Sequence, residues 1–314
     1  MNKREQAVLL GATGNMAFAV GNVLIGIKKH SPELEVDFII LHENLSESDK
    51  QVLNKIYPCK FIDYHFPEPK QIENSLFYRY TKLAFSRYEM FNLLDEYKKI
   101  AWIDIDILIQ DNIQKLFDAC IGDMAWKRED LKMQCLFNKK LPNIKNDEYY
   151  FNSGIIVATD KIPNYKILTE WLYNKTFEYA ESLLIADQAI LNYMIHEFPE
   201  ITVTELDEKY NYHPMDKNAK NAVILHSYST EKFWNYYNVR EWNENYKKWL
   251  KMGGSKYTGM TGELLNKLLK KHYKNIPNPI KYTKAFLRFL DTHFSLMHRY
   301  PLLYFKGVIN FWAT

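Results

Sequence analysis

Apolar and polar positions alternate along the first 240 residues with two different periods. AVLLGA, VDFIILHE and KFIDYHF are short apolar runs with the length of buried strands. Between them, MAFAVGNVLIGIKKH and SESDKQVLNKIY repeat apolar residues at helical spacing. This order of strand, helix and strand predicts an α/β domain with a mixed, mostly parallel central sheet flanked by helices.

The same kinds of element continue further along the chain. KKIAWIDIDILI predicts one buried strand, and YYFNSGIIVAT and NAVILHSYS predict two more. ADQAILNYMIHEF predicts a helix between the last two strands. Residues 123–150 are polar and lack a clear period, so we expect an irregular excursion there that lies over a site.

Two aspartates interrupt the apolar run WIDIDILI. In one continuous strand Asp104 and Asp106 would share a face, with Ile105 on the other. An unpaired carboxylate is costly to desolvate, so the pair predicts a cation, and a divalent metal with oxygen ligands is the natural one. The alternative is a solvated or salt-bridged pair at a strand end, because D-x-D is short and often occurs by chance.

Composition is typical of a globular enzyme. The 314 residues are 47% hydrophobic, which is enough to bury one large core or two smaller ones. Cys59, Cys120 and Cys135 are odd in number and lack C-x-x-C spacing, which argues against a disulfide framework and a zinc cluster. The first apolar run is broken by GATGN, and no apolar segment reaches 18 residues. We therefore expect no signal peptide and a reducing, cytoplasmic setting.

Charge divides the chain into two regions. Residues 240–314 carry a net charge of +10 and many aromatic residues, whereas residues 1–239 carry −7. We therefore predict a domain over 1–239 and a basic helical tail over 240–314. Such a tail suits a solvated helical layer, a nucleic-acid surface or a membrane surface, but no nucleic-acid motif supports the second of these.

Several motifs in fixed order resemble those of glycosyltransferase family 8, which includes bacterial lipooligosaccharide galactosyltransferases and glycogenin. They are SLFYRYTKLAF, KKIAWIDIDILI, YYFNSGIIVAT, ADQAILN and ILHSYSTEKFW, and the similarity extends from about residue 6 to 234. The resemblance implies the glycosyltransferase A fold and a nucleotide-sugar-binding domain. It also implies retaining, metal-dependent transfer of a hexose, galactose or glucose, from a UDP-sugar.

The resemblance also implies roles for individual residues. Asp104, Asp106 and His226 would hold Mn²⁺ or Mg²⁺, and Lys232 would face the diphosphate of the donor. Asp187 would accept hydrogen bonds from sugar hydroxyls and Gln188 would lie near the anomeric carbon, so the catalytic set is Asp187, Gln188 and Lys232. The implied donor-binding residues are Ala12, Thr13, Asn15, Arg79, Asp104, Ile105, Asp106, Asn152, Ser153, Gly154, His226 and Lys232. Without the resemblance, the alternative for each of these residues is an ordinary structural role, such as a helix cap, a turn or a surface residue.

The first loop departs from the family pattern. Thr13 stands where the family has an acidic residue that recognises uracil, and Met16 stands where it has a tyrosine, while Asn15 is retained. A threonine can hydrogen-bond to a base and a methionine can pack on one. The sequence of this loop is therefore also compatible with a donor that carries another nucleotide.

Two other functions compete with the transferase. VLLGATGNMA also resembles the dinucleotide-binding start of NAD(P)-dependent short-chain dehydrogenases and epimerases. That class has a Y-x-x-x-K motif near the middle of the chain, but here the pattern occurs early, at Tyr78 and Lys82, and late, at Tyr228 and Lys232. The departures at Thr13 and Met16 leave a second alternative, a sugar-nucleotide-binding protein without catalysis.

The resemblance further implies a saccharide or lipid-linked saccharide as acceptor, used in building cell-surface glycans such as lipopolysaccharide. Such enzymes often work at the inner face of the cytoplasmic membrane, where anionic lipids attract basic aromatic segments. We therefore expect a cytoplasmic protein that attaches peripherally to that membrane through residues 240–314. Acceptor contacts are expected from residues 123–150 and the tail.

Overall fold

The computed structural model describes residues 3–67, 81–141, 144–228 and 231–258. Their strands are β1 (Arg4–Thr13), β2 (Asp37–Glu43), β3 (Cys59–Asp63), β4 (Tyr97–Ile103), β5 (Ile107–Ile109), β6 (Met124–Lys132), β7 (Tyr149–Thr159), β8 (Val203–Glu205) and β9 (Ile224–His226). Their α-helices are α1 (Ala17–His30), α2 (Glu47–Ile56), α3 (Glu89–Leu93), α4 (Gln114–Asp118), α5 (Tyr165–Glu178), α6 (Ala186–Glu197) and α7 (Arg240–Lys251).

Seven strands form one mixed sheet in the order β3-β2-β1-β4-β7-β6-β8. Strands β3, β2, β1 and β4 are parallel neighbours, whereas β7 runs antiparallel to both β4 and β6. Strands β5 and β9 form a separate antiparallel pair. The four parallel strands end at one edge of the sheet, where ligands of α/β proteins commonly bind.

Both faces of the sheet are buried. Val8 and Leu10 of β1 join a core with α1, α2 and α7, while Ala7 and Leu9 join a core with α3, α5 and α6. All four side chains are fully buried. Because parallel strands covered on both faces need no polar side, β1 has the continuous apolar run AVLL. The predicted mixed, mostly parallel sheet with flanking helices is confirmed.

The prediction of one strand through KKIAWIDIDILI is wrong. Strand β4 ends at Ile103 and β5 begins at Ile107, because β4 pairs with β7 whereas β5 leaves the sheet to pair with β9. The two aspartates therefore lie in a connection after β4, and alternation along a strand does not bring them together. The expected irregularity of residues 123–150 is also only partly right, since β6 occupies the start of that segment.

The first part of the predicted basic tail packs on the domain. Helix α7 lies against α1, with Trp242 and Trp249 buried, and the Asn22 amide donates to the Trp242 carbonyl at 2.9 Å. Residues 240–258 are therefore part of the packed domain, and 259–314 lie outside the described residues. Among the described helices, none combines the length and apolar character needed to cross a bilayer.

Candidate active site

Three possible metal ligands meet beside the carboxyl end of β4. Asp104, Asp106 and His226 each offer one ligand atom, and these atoms all lie within 4.8 Å of one another. The β5–β9 pair creates this arrangement, because Ile107 is the register partner of His226. The backbone N–H of Asp104 also donates to the Gly154 carbonyl at 2.8 Å, which fixes the start of the connection against β7.

Each of the two carboxylates has one oxygen held by the protein and the other turned towards His226. Asp104 Oδ1 accepts from Arg87 at 3.0 Å and from the Trp102 indole at 2.7 Å, and Asp106 Oδ2 accepts from Lys232. The remaining oxygens, Asp104 Oδ2 and Asp106 Oδ1, lie 3.6 and 3.1 Å from His226 Nε2. Two oxygens and one nitrogen therefore face a common point.

The orientation of His226 suits metal binding. Its Nδ1 lies 2.8 Å from Asn211 Oδ1, and the Asn211 amide nitrogen donates to Asn152 Oδ1 at 2.9 Å. Since Asn211 Oδ1 can only accept, Nδ1 carries the proton, and the lone pair of Nε2 faces the carboxylates. Nε2 is buried and makes no hydrogen bond. An imidazole nitrogen beside two carboxylate oxygens is a donor set for a divalent cation, so these residues fit a metal.

Gly154 makes room for this imidazole. A Cβ added at residue 154 would lie 2.0 Å from His226 Cε1, which is closer than any van der Waals contact. The glycine of the N-S-G motif is therefore needed for the position of His226. The close approach that this glycine permits is therefore to a protein side chain.

The two carboxylates differ in their pKa values. Burial raises the pKa of Asp104, and repulsion from Asp106 adds to this, although Arg87 opposes it. Burial would also raise the pKa of Asp106, but the Lys232 ammonium in contact with it favours the charged form, and that pKa lies below its ordinary value. Asp106 is therefore the better preformed anion of the pair.

Strand β7 carries the N-S-G motif, residues 152–154, and helix α6 carries the D-Q motif, Asp187 and Gln188, and the two motifs are in contact. The Ser153 N–H donates to Gln188 Oε1 at 2.9 Å, and the Ser153 hydroxyl donates to Asp187 Oδ2 at 3.0 Å. Asn192, one turn further along α6, accepts from the Phe151 N–H at 2.7 Å. These contacts hold Asp187 and Gln188 against the first half of β7, next to the metal ligands.

Arg87 connects these two groups and was missed by the sequence analysis. It is 6% exposed, and it lies 3.0 Å from Asp104 Oδ1 and 3.1 Å from Asp187 Oδ2. Its guanidinium also donates to the Ser153 hydroxyl at 2.8 Å and lies over the Trp102 ring. A signal for it was present, because the apolar run LAFSRYEMF contains a single cation. The predicted Arg79 lies outside the described residues.

The other predicted donor-binding residues lie along the same edge of the sheet. Ala12 and Thr13 end β1, the neighbour of β4, and the Thr13 hydroxyl donates to Asn15 Oδ1 at 2.8 Å. Ile105 lies between the two aspartates, partly buried against the core. The structure thus brings together Asp104, Ile105, Asp106, Asn152, Ser153, Gly154, Asp187, Gln188, His226 and Lys232, and it places Ala12, Thr13 and Asn15 at the end of β1.

Known proteins with similar sequences include a putative glycosyltransferase of Haemophilus influenzae, to which the chain is 24% identical over 67% of each chain. The chain is 24% identical to galactinol synthase 2 of Arabidopsis thaliana over 60% of each chain. It is also 24% identical to general stress protein A of Bacillus subtilis, over 68% of this chain and 73% of that one. The chain thus spans only about 60% of the length of the plant relative.

Solved structures with a similar fold are also glycosyltransferases. The galactosyltransferase LgtC, crystallised with donor and acceptor sugar analogues, superimposes with a TM-score of 0.56 at 16% identity, over 78% of this chain and 99% of that one. The bifunctional glycosyltransferase WbbM gives a TM-score of 0.60 at 18% identity, over 81% of this chain and 52% of that one. These likenesses show that the fold is of the glycosyltransferase A type, as predicted.

The sequence profile described as glycosyl transferase family 8 matches residues 7–238. That range contains the metal-ligand set, the N-S-G and D-Q motifs and Arg87. This chain therefore belongs to glycosyltransferase family 8.

Proposed function

We propose that this protein is a metal-dependent, retaining hexosyltransferase that moves galactose or glucose from a UDP-sugar to a saccharide or lipid-linked saccharide. The observation that carries the proposal is the convergence of Asp104 Oδ2, Asp106 Oδ1 and His226 Nε2 on one point. Mn²⁺ is the proposed ion, because a mixed set of carboxylate and imidazole ligands suits it.

Cationic side chains flank the place proposed for the diphosphate. Arg87 touches Asp104 and Lys232 touches Asp106, so both cations lie beside the ligand set. When bound, a divalent metal would supply Lewis-acid stabilisation of the diphosphate leaving group. Lys232 can offset the negative charge that develops as UDP departs.

The side chains on α6 serve to orient the sugar in this proposal. Burial raises the pKa of Asp187, but contacts with Arg87 and the Ser153 hydroxyl stabilise its charged form. A carboxylate held in this way is a good acceptor for sugar hydroxyls and a weakened nucleophile. Gln188 is a poor nucleophile, and its Oε1 already accepts from Ser153. We therefore propose attack by the acceptor from the side that UDP leaves, with no covalent intermediate on Gln188.

Turnover of nucleotide sugars tests the proposal. We expect slow hydrolysis of UDP-galactose or UDP-glucose by the full chain with Mn²⁺, measured as release of UDP, and none with excess EDTA. NAD(P) binding without metal would favour the dehydrogenase instead. Donor binding without hydrolysis, and without transfer to any saccharide in an acceptor screen, would favour the non-catalytic binding protein.

A further inference from the structure

Strand β7 contains a bulge at the N-S-G motif. One residue of β6, Lys127, lies opposite residues 152–155 of β7. Backbone N–H groups in such a bulge lose their partners in the neighbouring strand and need other acceptors. One of them, the Gly154 N–H, donates to Asn152 Oδ1 at 3.0 Å. The bulge thus places a backbone donor against the side chain of Asn152.

The Gly154 N–H sets the direction of a series of hydrogen bonds that ends at His226. A backbone N–H can only donate, so the Asn152 atom that it contacts is the carboxamide oxygen. The same oxygen lies 2.9 Å from the Asn211 carboxamide, so the Asn211 atom on that side is the NH₂ nitrogen. The other atom of this carboxamide is therefore the oxygen, and it lies 2.8 Å from His226 Nδ1.

All three side chains of this series are buried. Asn152 is 6% exposed, and Asn211 and His226 are each 2% exposed. A buried carboxamide that turns over without new partners leaves its donor and its acceptor unsatisfied, which is costly. If Asn211 turned over, its oxygen would face Asn152 Oδ1, and two acceptors would meet without a hydrogen between them. Asn152 therefore fixes the orientation of Asn211.

The neighbouring acids by themselves favour the opposite arrangement of His226. With its proton on Nε2, the imidazole would donate to Asp106 Oδ1, 3.1 Å away, and a hydrogen bond to a carboxylate is stronger than one between neutral groups. Nδ1 would then accept from a turned Asn211. In this arrangement Nε2 has no lone pair for a metal. Asn152 opposes it, because it prevents Asn211 from turning.

The oxygen of Asn152 has no capacity left for a sugar hydroxyl. It accepts from both the Gly154 N–H and the Asn211 amide, so both of its lone pairs are used within the protein. A hydroxyl could donate to it only by displacing one of these two groups. The Asn152 oxygen therefore serves the His226 side of the site, whereas its NH₂ group can still donate to a bound sugar.

We propose that Asn152 is a positioning residue that acts through Asn211 to hold the proton of His226 on Nδ1, so that Nε2 keeps its lone pair for the metal. The direction of the series comes from the Gly154 N–H, which the bulge of β7 makes available. This inference rests on the proposed function, because it names the residue that keeps one ligand of the proposed metal site open. Outer partners that fix the tautomer of a ligating histidine raise metal affinity.

Nitrogen-15 NMR of the metal-free full chain with labelled histidine reads the tautomer directly. A ring nitrogen that carries a proton and one that does not differ in chemical shift, and the spectrum of His226→Ala identifies the signals of this residue among the nine histidines. The measurement is made at mildly alkaline pH, where imidazoles are normally neutral. We expect a protonated Nδ1 and a bare Nε2 in the wild type. A proton on Nε2 in the wild type would overturn the inference without any variant.

Two asparagine variants separate this role from general support of β7. Asn152→Leu removes the acceptor, so we expect the proton to move to Nε2 and the Mn²⁺ affinity in the presence of UDP to fall by about 10- to 100-fold. Asn192→Leu is the matched control, because Asn192 is buried and accepts from the Phe151 N–H of the same strand, outside the series. It should keep the proton on Nδ1. An unchanged tautomer in Asn152→Leu, or an equal change in Asn192→Leu, would overturn the inference.

A double variant tests whether Asn152 acts through Asn211. Asn152→Leu combined with Asn211→Asp puts a carboxylate, which can only accept, beside His226 Nδ1. This group needs no partner to set its direction, so the proton should return to Nδ1 and most of the lost Mn²⁺ affinity should return with it. A proton that stays on Nε2 in the double variant would overturn the inference. The expected tautomers in every protein, with no Mn²⁺ bound by the wild type in the presence of UDP, would instead refute the proposed function and leave the effect of Asn152 on the tautomer intact.

Discussion

At the scale of single residues, each proposed metal ligand depends on a neighbour that holds it. Arg87 and Trp102 hold one oxygen of Asp104, Lys232 holds one oxygen of Asp106, and Asn211 fixes the ring of His226. Such partners set the direction of the ligand lone pairs, and metal affinity depends on them nearly as much as on the ligands.

Gly154→Ala tests this dependence. The new Cβ would overlap His226 Cε1, so we expect the imidazole to move and Mn²⁺ affinity to fall by at least about tenfold, within the range for lost outer-shell support. Overpacking should also lower the free energy of unfolding by about 1–3 kcal/mol. Calorimetric Mn²⁺ titration and urea unfolding measure the two effects.

The control is to make the Gly154→Ala substitution in a protein that already carries His226→Ala. Without the imidazole, the alanine Cβ has lost its closest neighbour, so the loss of stability should largely disappear. An equal loss of stability in both backgrounds would show that His226 does not explain the need for glycine.

The sequence predicted the ligands of the site better than the side chains that support them. Asp104 and Asp106 were noticeable as acids in an apolar run, and His226 and Lys232 followed from a motif. The partnerships of Arg87 and Asn211 are tertiary, since their contacts come from residues 15 to 100 positions away. No local spacing encodes such contacts.

At the scale of elements, strand pairing decides the shape of the site. A buried strand over residues 98–109 was a reasonable expectation, because the apolar residues run through both aspartates. The sequence could not show that β5 would choose β9 as its partner, since that pairing joins segments more than 110 residues apart. The change of partner turns the chain at Asp104 and brings His226 to the acids.

Helix α7 is the element whose role differs most from the expectation of a separate basic tail. Its charged residues other than Glu241 are exposed, while Trp249 packs on Gly21 of α1, where an added Cβ would lie 2.3 Å from the indole ring. The Trp249 indole N–H also donates to the Ser255 carbonyl at 2.8 Å. The Gly21 contact attaches the helix to α1, and the Ser255 N–H donates to Asp49 Oδ1 of α2 at 2.9 Å, which attaches the segment after the helix.

We expect Trp249→Ala to lower the free energy of unfolding by about 3–5 kcal/mol, because it removes a fully buried indole. Lys247→Ala on the exposed side of the same helix should change it by no more than about 0.5 kcal/mol. Urea unfolding measures both changes, and far-ultraviolet circular dichroism is the probe because one variant lacks a tryptophan. A change for Trp249→Ala as small as that for Lys247→Ala would mean that α7 is dispensable for the fold.

At the scale of the whole molecule, charge is separated along the chain. The predicted membrane attachment through residues 240–314 stays a prediction, and its basis is the net charge of +10 in that range. Because 240–258 pack on the domain, we propose that any attachment uses the basic residues beyond 258. An enzyme that acts on lipid-linked saccharides would gain from being held at the surface that carries its acceptor.

Charge reversal tests this attachment. Lys270, Lys271 and Lys274 changed to Glu should weaken binding to phosphatidylserine-containing vesicles by at least about 100-fold, at about 1 kcal/mol per lysine. The control carries the same reversal at Lys55, Lys217 and Lys220, which are exposed on the domain. Vesicle sedimentation measures both variants. Equal vesicle binding by the two variants would mean that the membrane attraction comes from another part of the chain or from net charge alone.

The central claim is that Asp104, Asp106 and His226 hold a divalent metal together with the nucleotide. Titration of Mn²⁺ into the full chain with saturating UDP, followed through the spin-resonance signal of free Mn²⁺, tests it most directly. We predict one Mn²⁺ per chain for the wild type, affinity at least about tenfold weaker for Asp106→Asn, and wild-type affinity for Asp118→Asn, an exposed aspartate on α4. Wild-type Mn²⁺ affinity in Asp106→Asn would contradict the account.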